Sequence, residues 1–218
     1  EETAFFLDLV HDDPRPVVMV GAMRRAGEPE ADGPGNLADA STLVAHAEAR
    51  ARGVLVVLGG RVYDARHLHK VHGSRLDAFV GWGGGPVGSV DGSRVEFHRA
   101  RADRVVVPFD VATLPPVAMV VDHPGLSDRW LFTVAALDAV GIVMVSYAAG
   151  RTTETAHAGL REAHRQGLPV VLAPRVESTG PGEELEPGWF VTSLPAAQAR
   201  IGLAAALAAG RPPFALLS

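Results

Sequence analysis

Five short, continuous apolar runs limit what this chain can fold into: VVMV (17–20), VLVVL (54–58), VAMVV (117–121), GIVMV (141–145) and PVVLA (169–173). Each is too short for a helix and too uniformly apolar for a strand with one wet face, so each reads as a strand buried in a parallel sheet. Between them lie segments with helical signals. LADASTLVAHAEARAR stops at Gly53 and TTETAHAGLREAHRQG at Gly167, the residue type that best ends a helix. Strands alternating with helices are the rhythm of an α/β protein.

The order of elements follows. In EETAFFLDLV, Ala4, Phe5, Leu7, Leu9 and Val10 form an apolar helical face, and acidic Glu1 and Glu2 suit a helix start. A helix beginning at the first residue, with nothing before it to cap it, predicts that upstream chain is missing. After the strand at 17–20 comes a Gly/Pro/acid loop, AGEPEADGPG (26–35), then a helix capped by Asn36 and the strand at 54–58. The stretch 61–110 is different: SRLDAF predicts a brief helical turn, GWGGGPVG a glycine loop, and Asp91-Gly92 the turn of a hairpin. A second α/β unit follows, with strands at 117–121, 141–145 and 169–173 and helices over 127–140, 152–167 and 195–210. Residues 99–115 read as a linker between an N-terminal unit, 1–98, and a C-terminal unit, 116–218. The fold expected is two α/β modules with mainly parallel sheets, the first of them incomplete.

Composition removes several function classes. The net charge of −5, with arginines and histidines scattered rather than banded, argues against a nucleic-acid surface. No apolar run reaches the length of a membrane-spanning helix, so no membrane partner is expected. Without cysteine there is no disulfide, thiolate zinc site or cysteine nucleophile.

Candidate sites then compete. Gly83, Gly85 and Gly88 match a dinucleotide fingerprint, but that motif needs a helix after it, and here a hairpin is expected. His67, His69 and His72 in HLHKVHG could gather round a metal, yet His67 and His69 share a face only in an extended segment, and no H-E-x-x-H occurs. There is no G-x-S-x-G elbow for a serine nucleophile. Asp32-Gly33-Pro34 lies at the carboxyl edge of the first strand, where it fits a ligand contact or a turn with Asp as local acceptor. Lys70 is the only lysine in the chain. Unlike arginine, a desolvated lysine can accept a proton.

Three stretches, EETAFFLDLV, VVMVGAMRRAGEPEADGPGNLADA and RGVLVVLGGRVYDARHLHKVHGSRLDAF, stand in the order and spacing of the bacterial L-asparaginases. The chain resembles that asparaginase/glutaminase family strongly to about residue 111, through PFDV (108–111), and loosely beyond. The resemblance implies hydrolysis of the side-chain amide of L-asparagine, with L-glutamine as a possible second substrate, through a threonine-bound acyl intermediate. It aligns Lys70 with a proton-transferring lysine and Ala22, in G-A-M-R, with the residue whose backbone carbonyl receives the substrate amide. It implies no cofactor and no metal, and a homo-oligomer; the compartment is left open by the sequence, with a cytoplasmic location favoured over a periplasmic one. The family's threonine nucleophile, and the second threonine and aspartate that work with its lysine, would all precede Glu1, so the chain alone is expected to be inactive.

The chain also departs from the family. Gly73 replaces a threonine three residues after the lysine, Glu30 replaces a serine before A-D-G-P, and the loop at 146–154 lacks an asparagine. Glu183 and Glu184 align too loosely to carry a role. The alternative expectation is a family relative without catalysis, binding a small amino acid or serving as an interaction module.

Overall fold

A computed structural model describes residues 1–100, 104–107, 113–177 and 185–217, which divide between two compact units, Glu1–Pro108 and Phe109–Ser218. PFDV (108–111), Glu183 and Glu184, and part of the expected linker lie outside the described residues.

The first unit opens with helix α1 (Glu2–Val10), followed by strand β1 (Val17–Val20), helix α2 (Gly33–Ala45) and strand β2 (Val54–Leu58). Then come β3 (Arg61–Asp64), β4 (Leu68–Lys70), β5 (Phe79–Gly81), β6 (Gly88–Asp91) and β7 (Arg94–Phe97). The five-stranded sheet has the order β1-β2-β3-β6-β7. Only β1 and β2 pair in parallel, and every later pair is antiparallel. Short connections explain two of these pairs: parallel neighbours need a crossover such as α2, whereas Gly59-Gly60 and Gly92-Ser93 leave room only for the β2–β3 and β6–β7 hairpins. The first sheet is therefore mixed rather than mainly parallel. β2 is buried at all five positions, but β1, expected to be buried, is half-buried. Among the described residues β1 has one neighbour, β2, and lies at the sheet edge.

Two helix boundaries also differ from expectation. α2 begins four residues early, at Gly33, because Pro34 suits the first helical turn. It breaks at His46, and a short 3-10 turn over Ala47–Ala49 carries the chain on toward Gly53. SRLDAF forms a turn and no helix.

The core of this unit lies on both faces of its sheet. Leu43, Leu55, Val57 and Val62 pack on the α2 side, while Ala4, Val54, Val56, Tyr63 and Leu68 pack on the other. The alternation along β2 divides the two sets, as a two-residue side-chain period requires. One charge is built into the α1 face. Buried Asp8 accepts hydrogen bonds from the Val54 N–H and from Arg104 Nε, both at 2.9 Å. Burial pushes its carboxyl up from the ordinary value, against the pull of Val54 and Arg104. Gly53 makes room for this contact, since a Cβ there would sit 2.2 Å from the Asp8 carboxylate.

The second unit holds β8 (Ala118–Val121), helix α3 (Trp130–Ala136), β9 (Ile142–Ser146), helix α4 (Glu154–Arg165), β10 (Val170–Pro174), β11 (Trp189–Val191) and helix α5 (Ala196–Ala208). Its sheet is parallel throughout, in the order β11-β10-β9-β8. The Thr153 side chain caps α4 by accepting the Ala156 N–H, and is itself held by buried Asp122. Trp130, Ile142, Met144, Leu160 and Leu172 form the core beneath α3 and α4. α5 packs against β8, β9 and β10 and is buried at eight positions, including Leu203 and Ala204. α3 is half the expected length, and β11 was not expected at all.

Gly159 lies in the middle of α4, where alanine ordinarily gains about 1 kcal/mol of helix propensity. Here a Cβ would meet the Trp130 ring at 2.5 Å, and a rigid indole inside a packed core has little room to move. Overpacking of this kind costs roughly 1–3 kcal/mol. Gly159→Ala is therefore expected to lower the midpoint of chemical denaturation, and a raised midpoint would show that the Trp130 contact is relaxed.

Candidate active site

Four segments meet around one cavity of about 160 Å³: the start of α1, the chain leaving β1, the end of β2, and the β4–β5 ribbon. Lys70 and Ala22, the two site residues expected from the sequence, both line it, beside Glu1, Met23, Leu58 and Phe79. They are far apart in the chain, and the sheet brings them together.

Lys70 ends β4 opposite Phe79 of β5. Its ammonium nitrogen lies 5.3 Å from the centre of the Phe79 ring, within reach of a cation–π attraction, and the residue is exposed. Two ties fix the ribbon. The Tyr63 hydroxyl donates to the Phe79 carbonyl at 2.9 Å, joining β5 to the main sheet. The Lys70 N–H donates to Glu1 Oε1 at 2.8 Å, joining β4 to the start of α1.

The three histidines around Lys70 go three ways. His67 Nδ1 lies 2.9 Å from Asp64 Oδ1. His69 Nδ1 lies 3.2 Å from Glu1 Oε1, with its ring edge-on to Trp82. His72 Nδ1 accepts the N–H groups of Ser74 and Arg75. They do not converge, and among the described residues no three His, Cys, Asp or Glu side chains could together hold a metal. The glycine loop is a tight turn in which the Gly85 N–H donates to the Gly81 carbonyl at 2.8 Å. β6 follows it, so no helix N-terminus faces the loop, as a dinucleotide site would need.

Ala22 sits just past the carboxyl end of β1, in a turn held from outside. Asp32 occupies the N-cap position of α2 but does not cap its own helix. Its carboxylate instead accepts the Met23 N–H, at 2.9 and 3.1 Å to its two oxygens, and the Arg24 N–H at 2.8 Å. Asn36, buried inside α2, donates through Nδ2 to the Gly21 carbonyl and to Asp32 Oδ2, both at 2.9 Å. Its Oδ1 accepts the Gly59 N–H at 2.9 Å, which ties in the end of β2. Partial burial works to raise the Asp32 carboxyl pKa, but the donors from Met23, Arg24 and Asn36 prevail and hold it below the ordinary 3.8. The sequence alone predicts Asn36 as a helix cap and Asp32 as a ligand contact or local acceptor. The structure makes both of them long-range clasps on the G-A-M-R turn. The available signal was the i, i+4 spacing of Asp32 and Asn36, which puts them on one helix face.

A second cavity, of about 140 Å³, borders Asp8, Asp64, Arg66, His67 and Arg104. Its carboxylates are already engaged, Asp8 by Arg104 and Asp64 by His67.

Residues 1–103 match the family model described as "Asparaginase, N-terminal". Over these residues the chain is similar to the N-terminal domain of the asparaginase family. It is 35% identical over 193 residues to L-asparaginase 2 of Escherichia coli (strain K12), covering 85% of this chain and 55% of that protein. A probable L-asparaginase of Deinococcus radiodurans is 50% identical over 91 residues, 42% of this chain and 28% of the relative. The glutaminase-asparaginase of Pseudomonas fluorescens biotype A is 30% identical over 186 residues, 83% and 51% of the two chains. The chain thus spans about half the length of the longest-matched of these relatives. No helix among the described residues is long and apolar enough to cross a membrane.

The Asp32 clasp has a pH signature. Its folded-state pKa lies below the ordinary 3.8, so its contribution to stability is complete above about pH 4 and is lost as pH falls through the lower folded value. Amide exchange of Met23 and Arg24, corrected for intrinsic rate, is expected to stay slow at neutral pH and to accelerate below about pH 4. Protection that did not change on acidification would show that the carboxylate does not hold these groups.

Proposed function

We propose that the full-length protein is an amidohydrolase of the L-asparaginase type, converting L-asparagine to L-aspartate and ammonia. The observation that carries this reading is the shared cavity of Lys70 and Ala22. A carbonyl oxygen accepts hydrogen bonds, and the side-chain amide of asparagine offers two N–H donors to it. A neutral lysine amine can take the proton from a hydroxyl nucleophile and so make it competent to attack the amide carbon.

In the reaction proposed, a threonine oxygen bonds to that carbon, the C–N bond breaks and the nitrogen leaves as ammonia after protonation. Water then hydrolyses the resulting ester. No threonine lines the cavity among the described residues. No metal or cofactor enters any step. The names of the relatives support the substrate class, since they include L-asparaginases and a glutaminase-asparaginase. With the reading go a homo-oligomer, to be measured by sedimentation, and a cytoplasmic site of action, to be measured by cell fractionation.

In full-length protein, Lys70→Met is expected to reduce ammonia release from asparagine by about 10²–10⁴-fold, the usual contribution of a positioned acid–base group. The thermal midpoint should hardly move, because Lys70 is exposed. Lys70→Arg should fail as well, since arginine keeps the charge but accepts no proton. Wild-type rates in either variant would rule out Lys70 as the proton acceptor.

A further inference from the structure

Deepening the amidohydrolase reading and resting on it, we infer that Asp32 and Asn36 are positioning residues that aim the Ala22 carbonyl, so that the site prefers a side-chain amide to a side-chain carboxylate. The geometry is that of consecutive peptide planes. The Ala22 carbonyl and the Met23 N–H belong to one planar unit, and no peptide among the described residues is cis. In a trans peptide the C=O and N–H point in opposite directions. Both oxygens of Asp32 hold the Met23 N–H, so the Ala22 carbonyl must point away from Asp32. The peptide before it is pinned too, because the Gly21 carbonyl accepts from Asn36 Nδ2. With a plane fixed on each side, Ala22 cannot rotate without breaking a bond to buried Asn36 or to charged Asp32.

α2 closes the arrangement from behind. A Cβ on Gly33 would sit 3.5 Å from the Ala22 Cβ, so the first turn of the helix lies against the back of the turn it clasps. Asn36 also holds the Gly59 N–H, which ties the aim of the Ala22 carbonyl to the end of β2, beside Leu58 in the cavity wall.

The chemical consequence is selective. A fixed acceptor pairs with the NH₂ of an amide substrate and opposes the oxygens of a carboxylate, which can only accept when ionised. The substrate carries the amide and the product carries the carboxylate, so the same carbonyl that orients one disfavours retention of the other. If the plane between Ala22 and Met23 flipped, the Met23 N–H would face the cavity in place of the carbonyl. A donor there would reverse the preference.

The test uses full-length wild type, Asp32→Ala and Asp32→Asn. It reads kcat/KM for L-asparagine, the inhibition constant for L-aspartate, and amide exchange at Met23. Wild type should protect the Met23 amide. Asp32→Ala should lose that protection, lower kcat/KM for asparagine by about 10–100-fold, as expected for a lost charge-assisted hydrogen bond, and bind aspartate more tightly than wild type. Asp32→Asn keeps one acceptor oxygen for two backbone donors and should fall between the other two. It also serves if the alanine variant does not fold.

An equal loss of asparagine and aspartate binding would mean that Asp32 only supports the fold, and would overturn the inference. So would unchanged Met23 exchange, or a kcat/KM within twofold of wild type in the variants. Wild type that released no ammonia would sink the amidohydrolase reading and the selectivity with it. Loss of Met23 protection in Asp32→Ala would still be seen on its own, which separates failure of the clasp from failure of the function.

Discussion

The clasp made by one carboxylate and one buried amide holds the first unit together beside the cavity that Ala22 and Lys70 line. Asp32 and Asn36 stand one helical turn apart and between them bond to Gly21, Met23, Arg24 and Gly59. The end of β1, the start of α2 and the end of β2 therefore share one hydrogen-bonded knot. Buried polar groups are costly unless satisfied, so such a knot is specific: slipping β1 by one residue would leave Asn36 and the backbone groups it serves without partners.

The Lys70 side of the cavity is built differently. Its strand belongs to a two-stranded ribbon, too small to be stable alone, that borrows order from its surroundings. Tyr63 holds it from the sheet, Glu1 holds it from the helix, and Phe79 and Leu68 anchor it in the apolar layer beneath α1. One wall of the cavity is thus set by a polar clasp and the other by a lightly tied ribbon. Glu1 links the two residues His69 and Lys70 to α1 through a single carboxylate oxygen, so the position of Lys70 depends on the first turn of that helix.

How much of this could be read from residues alone varied with how local the cause was. The strands at VVMV, VLVVL, VAMVV, GIVMV and PVVLA were legible because continuous apolar runs leave few other structures open. The Asp91-Gly92 hairpin was legible because the turn chemistry is contained within it; Gly92, at φ 58°, takes the left-handed conformation that glycine allows. The strands β4, β5 and β11, three residues each, were not legible, because such short pieces become strands only through a partner elsewhere in the chain. Lys70 and Ala22 were found through resemblance of motif. That Asp32 accepts hydrogen bonds was legible, but its partners were not, since its donors lie eight and nine residues back, across a loop whose path no local rule supplies.

By itself, then, the sequence determined the α/β class and, through resemblance of motif, the similarity to the asparaginase family and the lysine and alanine worth testing. The class rests on periodicity and turn chemistry, which act over a few neighbouring residues. Only the tertiary structure decided that the first sheet is mixed, that the histidines around Lys70 part company, and that Asp32 grips the turn carrying Ala22. Those outcomes depend on which distant backbone groups find partners once the chain has closed on itself, and hydrogen bonds between segments far apart in sequence leave no periodic trace along it.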